Sequence, residues 1–252
     1  MAVMAAMTAM TAMTANKIVQ GLWVGAELSV MEQMSIASFL MNGHEYHLYV
    51  YEDVKHLPAG TVVKDASEIL PSSMIFQYRD FKSYAGFSNF FRYKLLLERG
   101  GWWADTDMIC LQPFDFAAAY VFSSETSEGQ EVINSGAIKT PAGSPAMAYA
   151  WQICREKNIE NLVWGETGPR LIGEAVRLCS LENFVQPPEV FCPLGYSDWD
   201  KVLEPMEVWP FSKTAYALHL WNEMWRRASV DKNQKYHPKC LYEKLKKRYL
   251  PR

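Results

Sequence analysis

The chain alternates short apolar runs with segments whose apolar residues recur every three to four positions. Residues 17–25, KIVQGLWVG, make a β-rich run that ends at Gly25. Ser29 to Met41 carries the period of an amphipathic helix, and His47 to Tyr51 is an apolar run of strand length. Strand, helix, strand at this spacing predicts a right-handed βαβ unit. From Val54 to Tyr84 the pattern is irregular, broken by Pro58 and Pro71, with one short helix near Asp65 to Leu70. The clearest periodicity follows. Phe87, Phe91 and Leu95, flanked by Phe90 and Leu97, predict a helix over Ser88 to Arg99 that buries one side. Gly100 and Gly101 stop it, since glycine enters the left-handed conformation without a Cβ clash. A short aromatic strand comes next and ends in Asp105 and Asp107, and Pro113 closes the run. Tyr120 to Ser124 and Glu131 to Ile138 read as strands. Ser144 to Lys157 reads as a helix with Ser144 as N-cap and Pro145 at its first position. Arg170 to Cys179 is a further helix, and Tyr216 to Asn222 closes a last strand.

Such alternation predicts an α/β fold, and 252 residues that are 49% apolar suffice for one substantial core in a single domain. Residues 1–16 open with MAVMAAMTAMTAMTA, an uncharged low-complexity run expected to be a disordered leader. It has neither the basic start of a secretory signal nor the roughly twenty apolar residues of a membrane span. Residues 17–230 form the expected globular domain. Residues 231–252 hold eight basic and two acidic side chains, net +6, which leaves −9 for the rest of a chain of net charge −3. That overall charge gives no nucleic-acid signal. Five cysteines, at 110, 154, 179, 192 and 240, are odd in number and form no C-x-x-C pair, so reduced thiols and a cytoplasmic setting are expected. His44, His47 and His56 lack a spacing that suggests a shared metal.

Candidate chemistry concentrates in Gly86 to Phe116. Residues i and i+2 of an extended segment face one way, so Asp105 and Asp107 would project together from the strand end. Two hard carboxylates, with a third ligand from elsewhere, suit Mg²⁺ or Mn²⁺ holding a diphosphate. A solvated strand end would read the same way. Ser88, Asn89 and Arg92 lie at i, i+1 and i+4, which gathers a hydroxyl, an amide and a guanidinium near one side of the first helical turn. The alternative makes Ser88 an N-cap and Arg92 a surface side chain.

Helix, Gly-Gly, aromatic residues, Asp-Thr-Asp, apolar strand and proline together resemble the sugar-binding D-x-D region of glycosyltransferase family 32. The chain is also similar to the α1,4-galactosyl- and α1,4-N-acetylglucosaminyltransferases and, more distantly, to the bacterial glucosylating toxins. Two further blocks agree: Trp164-Gly165-Glu166-Thr167-Gly168-Pro169, and His219-Leu220-Trp221-Asn222 near the C-terminus. The family helix usually opens Ser-Asp where this chain has Ser88-Asn89, so its amide brings no charge to the donor contact. The resemblance implies a GT-A type nucleotide-sugar-binding fold, a Rossmann-like mixed sheet flanked by helices. It implies a Mn²⁺- or Mg²⁺-dependent glycosyltransferase that moves a sugar from a nucleotide-sugar donor, expected to be a UDP-sugar, to a saccharide or lipid-linked hydroxyl with retention. Asp105 and Asp107 would be the catalytic acids and, with His219, the metal ligands. Trp23, Ser88, Asn89, Arg92, Asn134 and Trp221 would contact the donor, Trp23 by stacking on the base. Glu166 would contact the acceptor. Each also has a plain reading: Trp23, His219 and Trp221 as core residues, Asn134 as a turn former, Glu166 as a capping carboxylate.

The basic C-terminal segment, with Leu241, Tyr242, Leu245, Tyr249 and Leu250, would be either a helix on anionic lipid at the inner membrane face or a solvated helix packed on the domain. Two other functions remain open. A haloacid-dehalogenase type phosphatase or phosphotransferase also uses D-x-D, but after a long buried strand near the N-terminus. A non-catalytic nucleotide-sugar binder would share the site without turnover.

Overall fold

The computed structural model describes residues 17–208 and 211–250. The predicted 1–16 leader therefore lies outside the described residues. A βαβ unit opens the fold: β1 (Ile18–Trp23), α1 (Val30–Met41) and β2 (Glu45–Val50). Ser29 caps α1 with a reciprocal capping box to Glu32, which satisfies two otherwise orphaned amides. β3 (Val62–Asp65) adds a parallel edge to β2, and β4 (Gly101–Ala104) pairs parallel to β1 on its other side. β6 (Val121–Ser127) and β7 (Gln130–Thr140) form an antiparallel hairpin, and β7 lies antiparallel to β4. The six-stranded order is β3-β2-β1-β4-β7-β6. This is the α/β, Rossmann-like mixed sheet expected of a GT-A type fold.

One sheet face is covered by α2 (Ala85–Arg99), α3 (Pro145–Glu156) and α4 (Leu171–Leu178), whose Phe87, Phe91, Leu95, Met147 and Ile172 share a buried cluster with Trp103 and Ile138. Val19, Ile36, Phe39, Tyr46, Trp102, Phe114 and Phe191 fill the other side. There a second sheet pairs β5 (Met108–Cys110) antiparallel to β8 (Ala217–His219). Gly100 is required where α2 turns into β4: its φ is 63°, and a Cβ would lie 2.4 Å from the backbone nitrogen of Ala142.

The structure changes three details of the sequence reading. α2 begins at Ala85, with Tyr84 as N-cap, so Ser88 is inside the helix and not its cap. Asp105-Thr106-Asp107 is a turn between β4 and β5, closed by Met108 N donating to Asp105 O at 3.0 Å, and not a strand end. The carboxylates converge because the chain leaves one sheet and enters the other there, not because of a two-residue period. Asn134-Ser135-Gly136 lies within β7 rather than in a turn; the reversal is at Glu128-Gly129, both with positive φ.

For the basic segment, the structure shows the helix packed on the domain, one of the two expectations. Its helix α5 (Leu241–Tyr249) turns Leu241, Tyr242, Leu245 and Tyr249 into a core cluster with Met31, Met34 and Trp225, and the Tyr249 hydroxyl donates to Cys110 O at 2.9 Å. The apolar side that a lipid-lying helix would offer is thus packed against the domain. Among the described residues no helix is long and apolar enough to cross a membrane. All five cysteines are free thiols.

Candidate functional site

A cleft of about 1090 Å³ opens at the carboxyl ends of β1 and β4, where an open α/β sheet leaves a crevice. Its wall holds Trp23, which ends β1, and Ser88, Asn89 and Arg92 from α2. Asp105, Asp107, His219 and Trp221 line it as well. Eight side chains scattered from position 23 to position 221 are therefore brought together as the sequence reading required.

Arg92 is the organising cation. Its guanidinium donates to the Ser88 carbonyl at 3.3 Å, to the Ser88 hydroxyl at 3.0 Å and to the Ser135 carbonyl, and pairs with Asp105 Oδ1 at 2.9 Å. It also stacks 4.8 Å from the Trp103 ring, whose indole N–H donates to the same Asp105 oxygen at 2.9 Å. Helical spacing makes this work, since Ser88 and Arg92 are one turn apart on α2.

Asp107 is held from the C-terminal side. Asn222 N donates to its Oδ2 at 2.7 Å, Leu220 N donates to its carbonyl at 3.0 Å, and His219 Nε2 lies 3.2 Å from Oδ1. These contacts follow from the pairing of β5 with β8, in which Met108 sits opposite His219. Trp221, in the left-handed region at φ 55°, stacks on the imidazole at 3.9 Å and donates to Leu194 O. Asp105, Asp107 and His219 each offer a donor atom, all within 4.8 Å of one another.

The charges are strongly coupled. Burial pushes the Asp105 carboxyl up; Arg92 opposes this and the neighbouring Asp107 adds to it. Burial would raise Asp107 too, but the charge and hydrogen bond of His219, with the Asn222 amide, hold it below the usual carboxylate range. Burial would lower His219, yet the Asp107 carboxylate raises it well above the ordinary imidazole value. Both shifts favour the charged pair, Asp107 carboxylate with His219 imidazolium.

Two expected contacts are placed elsewhere. Asn134 is buried behind the cleft wall: its Oδ1 accepts from the Ser123 hydroxyl at 2.5 Å and from Gly136 N at 3.1 Å, and its amide reaches Cys192 Sγ. It braces the strand beside His219, where a Cβ on Gly136 would meet the imidazole at 3.4 Å. Glu166 pairs with Lys157 at 2.6 Å and accepts from Val163 N, which ties the carboxylate to its own loop. Its neighbours Trp164, Gly168, Pro169 and Arg170 line the cleft in its place.

Other residues in the cleft carried no sequence signal. Arg227 lies over Phe81 at 4.0 Å and over Trp164 at 4.4 Å, while Glu223 anchors it at 2.8 Å, so segment 78–84 is pinned beside the opening. Lys232 sits 5.9 Å over the Trp23 ring and pairs with the buried Glu32 at 2.6 Å. These contacts join segments distant in the chain, and no local spacing announces them.

Two family models match the chain. One, the glycosyltransferase sugar-binding region containing the DXD motif, covers residues 29–126, and the other, the alpha 1,4-glycosyltransferase conserved region, covers residues 155–252. The alpha-1,4-N-acetylglucosaminyltransferase of Homo sapiens is 30% identical over 152 residues, 53% of this chain and 41% of that protein. The lactosylceramide 4-alpha-galactosyltransferase of Mus musculus is 24% identical over 177 residues, 64% of this chain and 46% of that protein. The chain thus spans less than half the length of these relatives. A solved structure described as PaToxG Glycosyltransferase superposes with a TM-score of 0.46 at 14% identity, covering 68% of this chain and 76% of that one. The resemblance read from the residues is borne out by both family regions and by the named relatives.

Proposed function

We propose that this chain, a relative of the DXD-containing and alpha 1,4-glycosyltransferases, transfers a sugar from a nucleotide-sugar donor to a hydroxyl of a saccharide or glycolipid acceptor. The donor is a UDP-sugar, and the product is α-linked with retention. The observation that carries this reading is the convergence of Asp105, Asp107 and His219 donor atoms within 4.8 Å on the wall of a cleft that also holds Trp23 and Arg92. The α-linkage rests on the names of the relatives.

The donor set suits a divalent cation. Two carboxylates and an imidazole satisfy Mn²⁺ well, and the imidazole favours it over Mg²⁺. When bound, such an ion neutralises the charge that develops on a departing diphosphate. The chain's own groups do the rest. Arg92, anchored by donating to the carbonyl and hydroxyl of Ser88 on its own helix and to the Ser135 carbonyl on β7, pairs with the Asp105 carboxylate, so the site is organised before ligand arrives. The Trp23 indole N–H donates to Glu27 O at 3.1 Å, which sets the ring plane and leaves a face for a base. Arg170 and Arg226 line the same cleft and add positive potential for phosphate.

Incubation of the protein with UDP-glucose, UDP-galactose or UDP-N-acetylglucosamine, Mn²⁺ and a saccharide acceptor should yield an α-linked product by NMR. A β-linked product, or none from any donor, would count against the reading. The charge state of His219 adds a pH prediction. Ligation requires neutral imidazole, so ion binding must release the proton shared with Asp107. Affinity for Mn²⁺ should rise about tenfold per pH unit as long as the pH stays below the raised His219 pKa. Calorimetric titration at pH 6 and pH 7 checks the slope; a flat profile would mean that His219 is not a ligand.

A further inference from the structure

Glu125 takes no part in the arrangement described so far, yet it lines the same cleft. It lies on β6, its backbone paired with Val132 across the hairpin. Beyond the register shift between Phe122 and Ser124, Glu125 and Ser127 lie two residues apart on the paired strand and so share one side of it. Glu125 and Ser127 both reach the cleft, whereas the Ser123 hydroxyl turns to Asn134.

Glu125 is 7% exposed, and its Oε2 has no hydrogen-bond partner among the described residues. Burial raises its pKa, and the charge of His219 partly offsets this. A structural carboxylate in such a place would be paired, because stripping water from an ionised acid without compensation is costly. Glu32 illustrates the structural case in this chain: it is as deeply buried, but it caps α1 and pairs with Lys232. Glu125 has no such role. An unpaired acceptor held at a cleft wall fits a ligand that brings its own donors. Of the groups a nucleotide sugar and its acceptor carry, the phosphates repel a carboxylate, while sugar hydroxyls donate to it in strong charge-assisted bonds.

Resting on the transferase reading, we infer that Glu125 is a sugar-selecting residue whose carboxylate accepts a hydrogen bond from a sugar hydroxyl in the cleft. The sugar belongs either to the donor or to the acceptor, and the two sources separate experimentally. Glu125→Gln keeps the size and removes the charge. With Mn²⁺ present, UDP should bind this variant as it binds the wild type. If the hydroxyl is the donor's, affinity for the preferred UDP-sugar falls at least tenfold. If it is the acceptor's, UDP-sugar affinity holds and the KM for a saccharide acceptor such as lactose rises at least tenfold.

Because the side chain has no protein hydrogen bond to lose, Glu125→Gln should also leave the melting temperature of the ligand-free protein unchanged or higher. That readout needs no turnover and would fall for a structural residue. Unchanged UDP-sugar affinity together with unchanged acceptor KM overturns the inference, as does a lowered melting temperature with UDP binding weakened in parallel. Failure of the wild-type protein to bind UDP with Mn²⁺ would sink the transferase reading and this inference with it. Normal UDP binding with an unaffected Glu125→Gln variant sinks this inference alone.

Discussion

Replacing Asp107 with alanine is expected to reduce sugar transfer by at least about a thousandfold, the order that loss of a charge-stabilising element costs an active site. Asp107 is the acid held from two sides, by Asn222 N at 2.7 Å and His219 Nε2 at 3.2 Å, so its oxygens occupy fixed positions. Alanine removes an anionic ligand and also frees His219 from the charge that keeps it protonated. Asp107→Asn is the sharper variant. Its amide oxygen can still accept from Asn222, so the turn survives, while the negative charge is gone. Both variants should keep the wild-type circular dichroism spectrum and lose turnover. Retained turnover in Asp107→Asn would remove the acid from the chemistry.

Arg92→Ala should lower both stability and activity. The guanidinium side chain is 4% exposed, and it holds Ser88, the Ser135 carbonyl and Asp105 at once. Removing one partner of a buried ion pair costs about 3–5 kcal/mol, because the remaining charge stays desolvated. For a chain of this size that corresponds to a melting temperature lower by about 10 °C. Arg92→Lys should recover only part of the loss, since an ammonium cannot present a planar fork to three acceptors. Calorimetry on the three proteins checks the order; a shift below about 2 °C for Arg92→Ala would mean that the pair with Asp105 is not what organises the site.

Much of the architecture could be read from period and punctuation. The helical period from Ser29 to Met41, the Gly100-Gly101 stop and Pro145 at a helix start each carry a local steric or packing rule, and the structure follows them. The Asp-Thr-Asp segment was legible as chemistry but not as geometry. Apolar runs on both sides of it, Trp102 to Ala104 and Met108 to Leu111, give no sign that the chain passes from one sheet into another there. Asn134 was misplaced for a related reason, because an Asn-Ser-Gly triplet signals a turn unless a partner strand fixes it as extended.

Arg92 was legible through its helical spacing to Ser88. Its tie to Asp105 depends on tertiary packing between α2 and β4, as does that of His219 to Asp107 across β5 and β8. Glu125 gave no local sign, since an acid in a strand near Ser and Thr reads as a solvated edge until its burial is known. The C-terminal helix was legible in both its basic and its apolar side, but sequence alone could not say what the apolar side meets. It meets Met31, Met34 and Trp225.

We propose that Asp105, Asp107 and His219 jointly present a divalent cation to a nucleotide diphosphate. Calorimetric titration of UDP into the full chain, with Mn²⁺ and then with the ion chelated away, tests it most directly. UDP should bind the wild type only with Mn²⁺ and should not bind Asp107→Asn. Equal UDP affinity with and without the ion, or undiminished Mn²⁺-dependent binding in Asp107→Asn, would contradict it.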